Sequence, residues 1–216
     1  MESKNNDAYK SKFNSIDELK SQVGNELGLT DWYTMDQEKI NIFADATGDH
    51  QWIHIDKEKS EKESPYKTTI AHGFLMLSMC SKIMFDSYEL NNVGMVINYG
   101  LDKVRFTNAT PSGSKYRGRV SLMEFDANPK GAKYKMKVII ELKGQEKPAC
   151  IAEFLALAYK KLTLSTTLVS GINAIFNFSD KAEIHRAIIA DYLRLKNEIN
   201  NYIKNMDTDI VEIKKK

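Results

Sequence analysis

Between residues 46 and 56 the chain reads Ala-Thr-Gly-Asp-His-Gln-Trp-Ile-His-Ile-Asp. Asp49 and His54 stand five residues apart beside a flexible glycine, Gly48. In a turn followed by a strand, that spacing lets a carboxylate and an imidazole converge on one point. Together they can hold a water and move its proton near neutral pH. A capped helix end followed by a core-facing histidine would give the same letters. The second segment is Ile70-Ala71-His72-Gly73-Phe74. Gly73 opens an apolar run, and the backbone N–H at the start of a helix favours developing negative charge. Such a group can form half of an oxyanion site for a carbonyl. The alternative is that Gly73 only marks where a helix meets a crowded sheet.

The elements around these segments are legible from period. Ser15 and Glu18 have capping-box spacing, and Ile16, Leu19, Val23 and Leu27 follow at helical spacing up to Gly28. Thr34 and Gln37 can cap a second helix carrying Ile40, Phe43 and Ala44 and ending near Thr47-Gly48. The stretch 57–69 is polar and surface-like. Residues 70–85 are apolar nearly all round, as in a buried helix. From Val93 the period becomes that of strands: Val93–Asn98, Leu101–Thr107, Tyr116–Phe125, Tyr134–Leu142 and the apolar run Ala149–Tyr159. The last three, joined by short turns, imply an antiparallel meander. The expected class is α+β, with a curved antiparallel sheet wrapped on one buried helix.

Composition narrows the function. The chain has 216 residues, with 31 Lys and Arg against 29 Asp and Glu, a balance that predicts no nucleic-acid partner. No run approaches the roughly 18 apolar residues of a membrane helix. The polar start shows no signal peptide. Cys80 and Cys150 sit in apolar runs, as free thiols of a reducing compartment do, so a cytoplasmic protein is expected. His50 and His54 are four apart, but residue 51 is Gln, so the HExxH metal pattern is missing and no metal is expected. Neither G-x-G-x-x-G nor a P-loop occurs, and no cofactor is expected. Lys103, Arg105, Arg117 and Arg119 form a basic set on strands, suited to phosphates or to a solvated face alike.

Three regions are expected: a disordered polar N-terminus over 1–12, a core domain over 13–161 and a helical extension over 162–216. In the last, Ile188, Tyr192, Leu195, Ile199, Tyr202 and Met206 alternate steps of four and three. That is the a/d seam of a helix that packs on another subunit or protein.

Taken together, the motifs carry a family resemblance. Thr47-Gly48-Asp49 with His54 and Asp56, then Ile70-Ala71-His72-Gly73 and an apolar helix, then Asn98-Tyr99-Gly100 and Arg105-Phe106 occur in this order. Over residues 15–160 the chain resembles the MaoC-like dehydratases, which include R-specific enoyl-CoA hydratases and nodulation-protein-N-like proteins. The resemblance implies the hot-dog fold and edge-to-edge pairing of two copies. It implies syn hydration of a trans-2-enoyl-CoA, or of an acyl-carrier-protein thioester, to the (R)-3-hydroxyacyl form, or the reverse. It makes Asp49 and His54 the catalytic pair and Gly73 the donor to the thioester carbonyl. Ser81 matches a site serine, and His72 and Trp52 join it on the substrate-binding side. Where the hydratases commonly carry Asn-Pro, this chain has His50-Gln51-Trp52-Ile53, a wording closer to the nodulation-protein-N-like branch. The bulk of Trp52 is expected to change which acyl chain fits. Two other hot-dog functions compete: a non-catalytic acyl-thioester-binding module and a thioesterase.

Overall fold

The computed structural model describes residues 7–161. By its contacts the chain divides into Met1–Leu162 and Thr163–Lys216. The seam over 188–206 lies outside the described residues. The stretch over 1–12 expected to be disordered includes most of β1 (Tyr9–Phe13), which belongs to the sheet. Phe13 explains this, since its side chain is buried in the core.

The first helix is much shorter than its period implied. Helix α1 (Ile16–Lys20) is capped by Ser15, whose Oγ accepts from the Glu18 N–H at 3.1 Å. It stops before Val23, which is exposed, and Leu27 instead lies buried on β2 (Glu26–Leu29). A period of four fits both a helix and the successive buried points of an irregular chain, so it did not decide the element. After β3 (Tyr33–Thr34) comes α2 (Gln37–Thr47), capped by Asp36 rather than by Thr34. The Asp36 carboxylate accepts from the Lys39 N–H at 2.9 Å. Gly48 ends α2 in the left-handed conformation, φ 76°, which glycine adopts without a Cβ penalty. Two short helices follow, α3 (Trp52–Ile55) and α4 (Lys57–Glu63).

Helix α5 (Gly73–Ser87) is the one the sheet wraps. Leu75, Met76, Cys80 and Ile83 face the sheet and are buried. Its opposite side, with Phe74, Ser78, Ser81, Lys82 and Phe85, is exposed in the single chain. The expectation of burial all round therefore fails for the single chain. After β4 (Tyr88–Leu90), the two strands expected on either side of Tyr99-Gly100 are one, β5 (Val93–Phe106), with register shifts against β8 (Cys150–Lys160) near Gly100. The strands β6 (Lys115–Asn128), β7 (Gly131–Leu142) and β8 form the antiparallel meander.

The sheet order is β4-β1-β2-β6-β7-β8-β5, with β3 also paired to β6. Neighbours are antiparallel except β1 and β4. Alternation places Tyr116, Val120 and Leu122, Tyr134, Met136, Val138 and Ile140, and Phe154 on the inner face, all buried. Each large apolar side chain removed from water there contributes about 1.5–3 kcal/mol before entropy. On the outer face Arg119 bonds Glu26 at 2.6 Å and Glu141 at 3.0 Å, and Arg117 bonds Glu141 at 2.7 Å. Arg117 also lies over the Trp32 ring. These two arginines join strands and are already partnered by carboxylates.

Candidate active site

The residues from 47 to 56 form a turn and a short helix, not a turn and a strand. The Thr47 hydroxyl donates to the Phe43 carbonyl at 2.7 Å and the Gly48 N–H to Ala44 at 2.8 Å, which closes α2. Asp49 leaves this cap with its side chain more than half exposed. His54 sits on α3, and α3 is tied down from two sides. Gln37 of α2 donates to the His54 carbonyl at 2.7 Å, and the Ile70 N–H donates to the Ile53 carbonyl at 3.1 Å. The Thr69 hydroxyl donates to the same Gln37 amide. A helix of four residues has no intrinsic stability, so these ties hold His54 in place.

Convergence is achieved. The Asp49, His54 and His72 side chains each bring an oxygen or nitrogen within 4.8 Å of one another. His54 is buried, and its Nδ1 lies 2.7 Å from the Ile70 carbonyl. A carbonyl only accepts, so the ring proton is on Nδ1 and Nε2 is left with a lone pair. Burial lowers the His54 pKa below the ordinary imidazole value; the Ile70 bond opposes this and the neighbouring His72 adds to it. The imidazole is therefore neutral at pH 7, the form that can take a proton from water. His50 turns away, to the Asp45 carboxylate at 2.9 Å, and that contact raises its pKa. By residue type Asp49, His54 and His72 are also a set that a metal ion would accept. A main-chain carbonyl takes one ring N–H from each histidine, which leaves the other ring nitrogen of each with its lone pair.

Gly73 is the first residue of α5, and no side chain caps that end. It shares a cavity of about 430 Å³ with His54, Ala71, Phe106 and Thr110. No acidic residue stands in the first turn of α5 to compete for its N–H groups. A Cβ at Gly73 would come within 2.9 Å of Phe106 Cδ2. The crowded-sheet reading of this glycine thus holds, and Gly73 also lines the cavity that holds His54. If the Gly73 N–H holds the substrate carbonyl, crowding it removes part of the roughly 10²–10³-fold that one such donor contributes. Gly73→Val is expected to slow turnover by about tenfold or more while the protein stays folded. Stable protein with normal turnover would take Gly73 out of the site.

Two expected site residues lie elsewhere. Ser81 is eight residues along α5, about 12 Å from Gly73, and lines a different, larger cavity of about 510 Å³ with Met84, Val96, Asn98, Met136 and Phe154. Trp52 is half-buried on α3 with the Lys59 ammonium 5.0 Å from its ring centre, and it lines neither cavity. Sequence reasoning missed Phe106 and Thr110. Phe106 meets Gly73 across the sheet and packs on Phe74 at 5.8 Å. Thr110 accepts the Ala71 N–H at 2.8 Å and has a buried hydroxyl with no partner among the described residues. Phe106 stands in the Arg105-Phe106 part of the family motif but was given no role there, and no motif flags Thr110, which follows β5 in a loop.

A sheet wrapped on one helix, with an acid–base pair beside the helix start, defines the class of the protein. The chain belongs to the MaoC-like domain family, whose model matches residues 18–143. It is similar to 3-hydroxyacyl-thioester dehydratase Z of Mycobacterium tuberculosis (strain ATCC 25618 / H37Rv), with 42% identity over 142 residues, 65% of this chain and 93% of that protein. It is also 40% identical to nodulation protein N of Rhizobium leguminosarum bv. viciae over 147 residues, 66% of this chain and 90% of that protein. Among solved structures it resembles the R-hydratase PhaJ1 from Pseudomonas aeruginosa, with a TM-score of 0.53, 20% identity and coverage of 70% and 93%. A monoamine oxidase regulatory protein from Archaeoglobus fulgius gives a TM-score of 0.57 with 21% identity, covering 70% of this chain and 97% of that one. The fold is the hot dog.

Proposed function

We infer that the protein is a hydro-lyase that adds water to a trans-2-enoyl thioester to give the (R)-3-hydroxyacyl thioester, or runs the reverse. The observation that supports this most is a neutral His54 with a free Nε2, lining a cavity with the uncapped start of α5, and the Asp49 carboxylate within 4.8 Å of its ring just outside that lining. A water held between the pair loses a proton to one of them as its oxygen bonds to C3. The electron pair of the double bond moves toward the thioester, whose oxygen takes the Gly73 N–H. The pair then passes that proton to C2 on the same face and returns to its starting charge. The step is redox-neutral and needs only water and the pair that relays its proton.

The test follows absorbance loss of crotonyl-CoA and of longer trans-2-enoyl-CoA substrates with purified protein. Loss without release of free thiol supports hydration. Thiol release would make it a thioesterase, and neither change would leave a binding module.

The working form is a homodimer. Strand β5 is the sheet's end, pairing only with β8 among the described strands. Beside it Phe74, Phe85, Met95, Val96, Tyr99 and Phe106 are exposed. An unpaired edge with apolar neighbours needs covering. Antiparallel pairing of β5 with the same strand of a second copy covers it. That pairing also reverses the two ends, bringing the partner subunit's Ser81 toward the end that carries His54 and Gly73. A dimeric mass at micromolar concentration is expected, and a monomer would contradict this. We also place the extension after Lys161 outside the chemistry. Full-length protein and protein truncated after Lys161 should hydrate equally, while oligomer size, stability or partner binding differs. Loss of all activity in a folded, dimeric truncation would put the extension in the site.

A further inference from the structure

His72 is 3% exposed and is not among the residues lining the cavity that holds His54 and Gly73. Its ring is stacked on His54 at 3.7 Å between centres and 26° between planes. Phe43 packs against it at 5.1 Å. Its Nε2 lies 3.0 Å from the main-chain oxygen of Asp49 and 3.9 Å from the Asp49 carboxylate. The main-chain oxygen only accepts, so Nε2 carries the ring proton and donates it. Nδ1 then keeps a buried lone pair with no partner among the described residues. His54 is fixed the opposite way, with its proton on Nδ1. Two stacked imidazoles thus carry their protons on different nitrogens, each set by a main-chain carbonyl.

Packing alone does not account for a histidine here. A buried ring nitrogen without a partner costs free energy that an apolar ring avoids. What an apolar ring would lose is the bond to Asp49. The Asp49 carboxylate is otherwise held weakly, by the Gln51 N–H at 3.4 Å. Asp49 follows α2 and His54 sits on α3, so the two halves of the pair belong to different elements. His72 touches both of them.

We propose that His72 is a positioning residue, whose hydrogen bond to the Asp49 carbonyl and stack on His54 set the distance between the two halves of the acid–base pair without touching substrate. This rests on the hydratase reading of the site. It also moves His72 from substrate binding to the support of the pair.

The test compares full-length wild type, His72→Phe and His72→Gln with crotonyl-CoA. Phe keeps a ring to stack and loses the donor. Gln loses the ring but carries an amide N–H about as far out as Nε2. Misplacing a reacting group by about an ångström costs up to roughly 10²-fold. His72→Phe should therefore keep its melting temperature and KM while kcat falls about 10–100-fold, and His72→Gln should recover much of that loss. Normal kcat in His72→Phe would overturn the proposal. So would a raised KM at constant kcat, or an equal fall in both variants. Nitrogen-15 spectra of the wild-type imidazoles read the contact without turnover. They should show the neutral His72 protonated on Nε2 and His54 on Nδ1. A proton on Nδ1 of His72 would overturn the proposal even in an active enzyme. Because the spectra do not depend on the thioester, failure of the hydratase reading and failure of this proposal are told apart.

Discussion

Asp49→Asn is expected to lower the hydration rate about 10²–10⁴-fold, the usual loss when a positioned acid or base is removed. The substitution keeps the shape of the side chain and removes only its charge and its ability to exchange a proton. The Asp49 side chain is more than half exposed, so nothing in the core depends on it. Its thermal midpoint should match that of the wild type. His54→Ala should lose activity on the same scale. It also removes the donor to the Ile70 carbonyl and one layer of the stack on His72, so some stability is lost with it. The pH profile follows from the sign of the shift. Burial lowers the His54 pKa, so its neutral, proton-accepting form persists below the ordinary imidazole value. The acid limb of kcat/KM should accordingly lie below pH 6.5, the reference value for the group. Near-normal activity in Asp49→Asn would remove the carboxylate from the chemistry.

A large stability loss from a single methyl group is expected at Gly28. Its strand β2 runs directly beneath the end of α5. A Cβ there would fall 2.0 Å from the Ser87 carbonyl oxygen and 2.9 Å from Ser87 Cα. Both atoms are backbone at the last turn of the buried helix, so no rotamer change can relieve the clash. Either α5 or β2 must move, and both carry buried core residues, Ile83 on α5 and Leu27 on β2. Overpacking of a close-packed core typically costs about 1–3 kcal/mol, and more when backbone has to shift. At Gly118 a Cβ would instead meet side-chain atoms of Ile83, which is β-branched and buried on α5 and so gives way only in part, but no backbone. Urea midpoints at one fixed protein concentration should therefore rank wild type, Gly118→Ala and Gly28→Ala in falling order. A Gly28→Ala protein within about 0.5 kcal/mol of wild type, the ordinary range for a surface change, would refute the close approach.

The parts visible in the sequence are those fixed by local chemistry. Period two in Tyr116–Leu122 and Tyr134–Ile140 placed the inner face of the sheet, because a strand turns alternate side chains to opposite sides. Gly48 ended α2, because few other residues adopt positive φ cheaply. Asp49, His54 and Gly73 could be marked as candidates because residue type alone states which groups can exchange protons or approach a carbonyl. Local chemistry failed where two conformations share one pattern. The four-residue steps from Leu19 to Leu27 looked helical, yet the chain leaves α1 to form β2 because β6 offers hydrogen bonds to it. Thr34 was the expected cap, but pairing of β3 with β6 took Thr34, and Asp36 caps α2 instead. Distance along a helix separated Ser81 from Gly73, which a shared motif cannot show. The roles of Phe106, Ile70, Thr110 and His72 arise only when β5, α3 and α5 meet. Tautomers in particular are set by which carbonyl lies against each ring, and that is a property of packing between residues 16 to 23 positions apart.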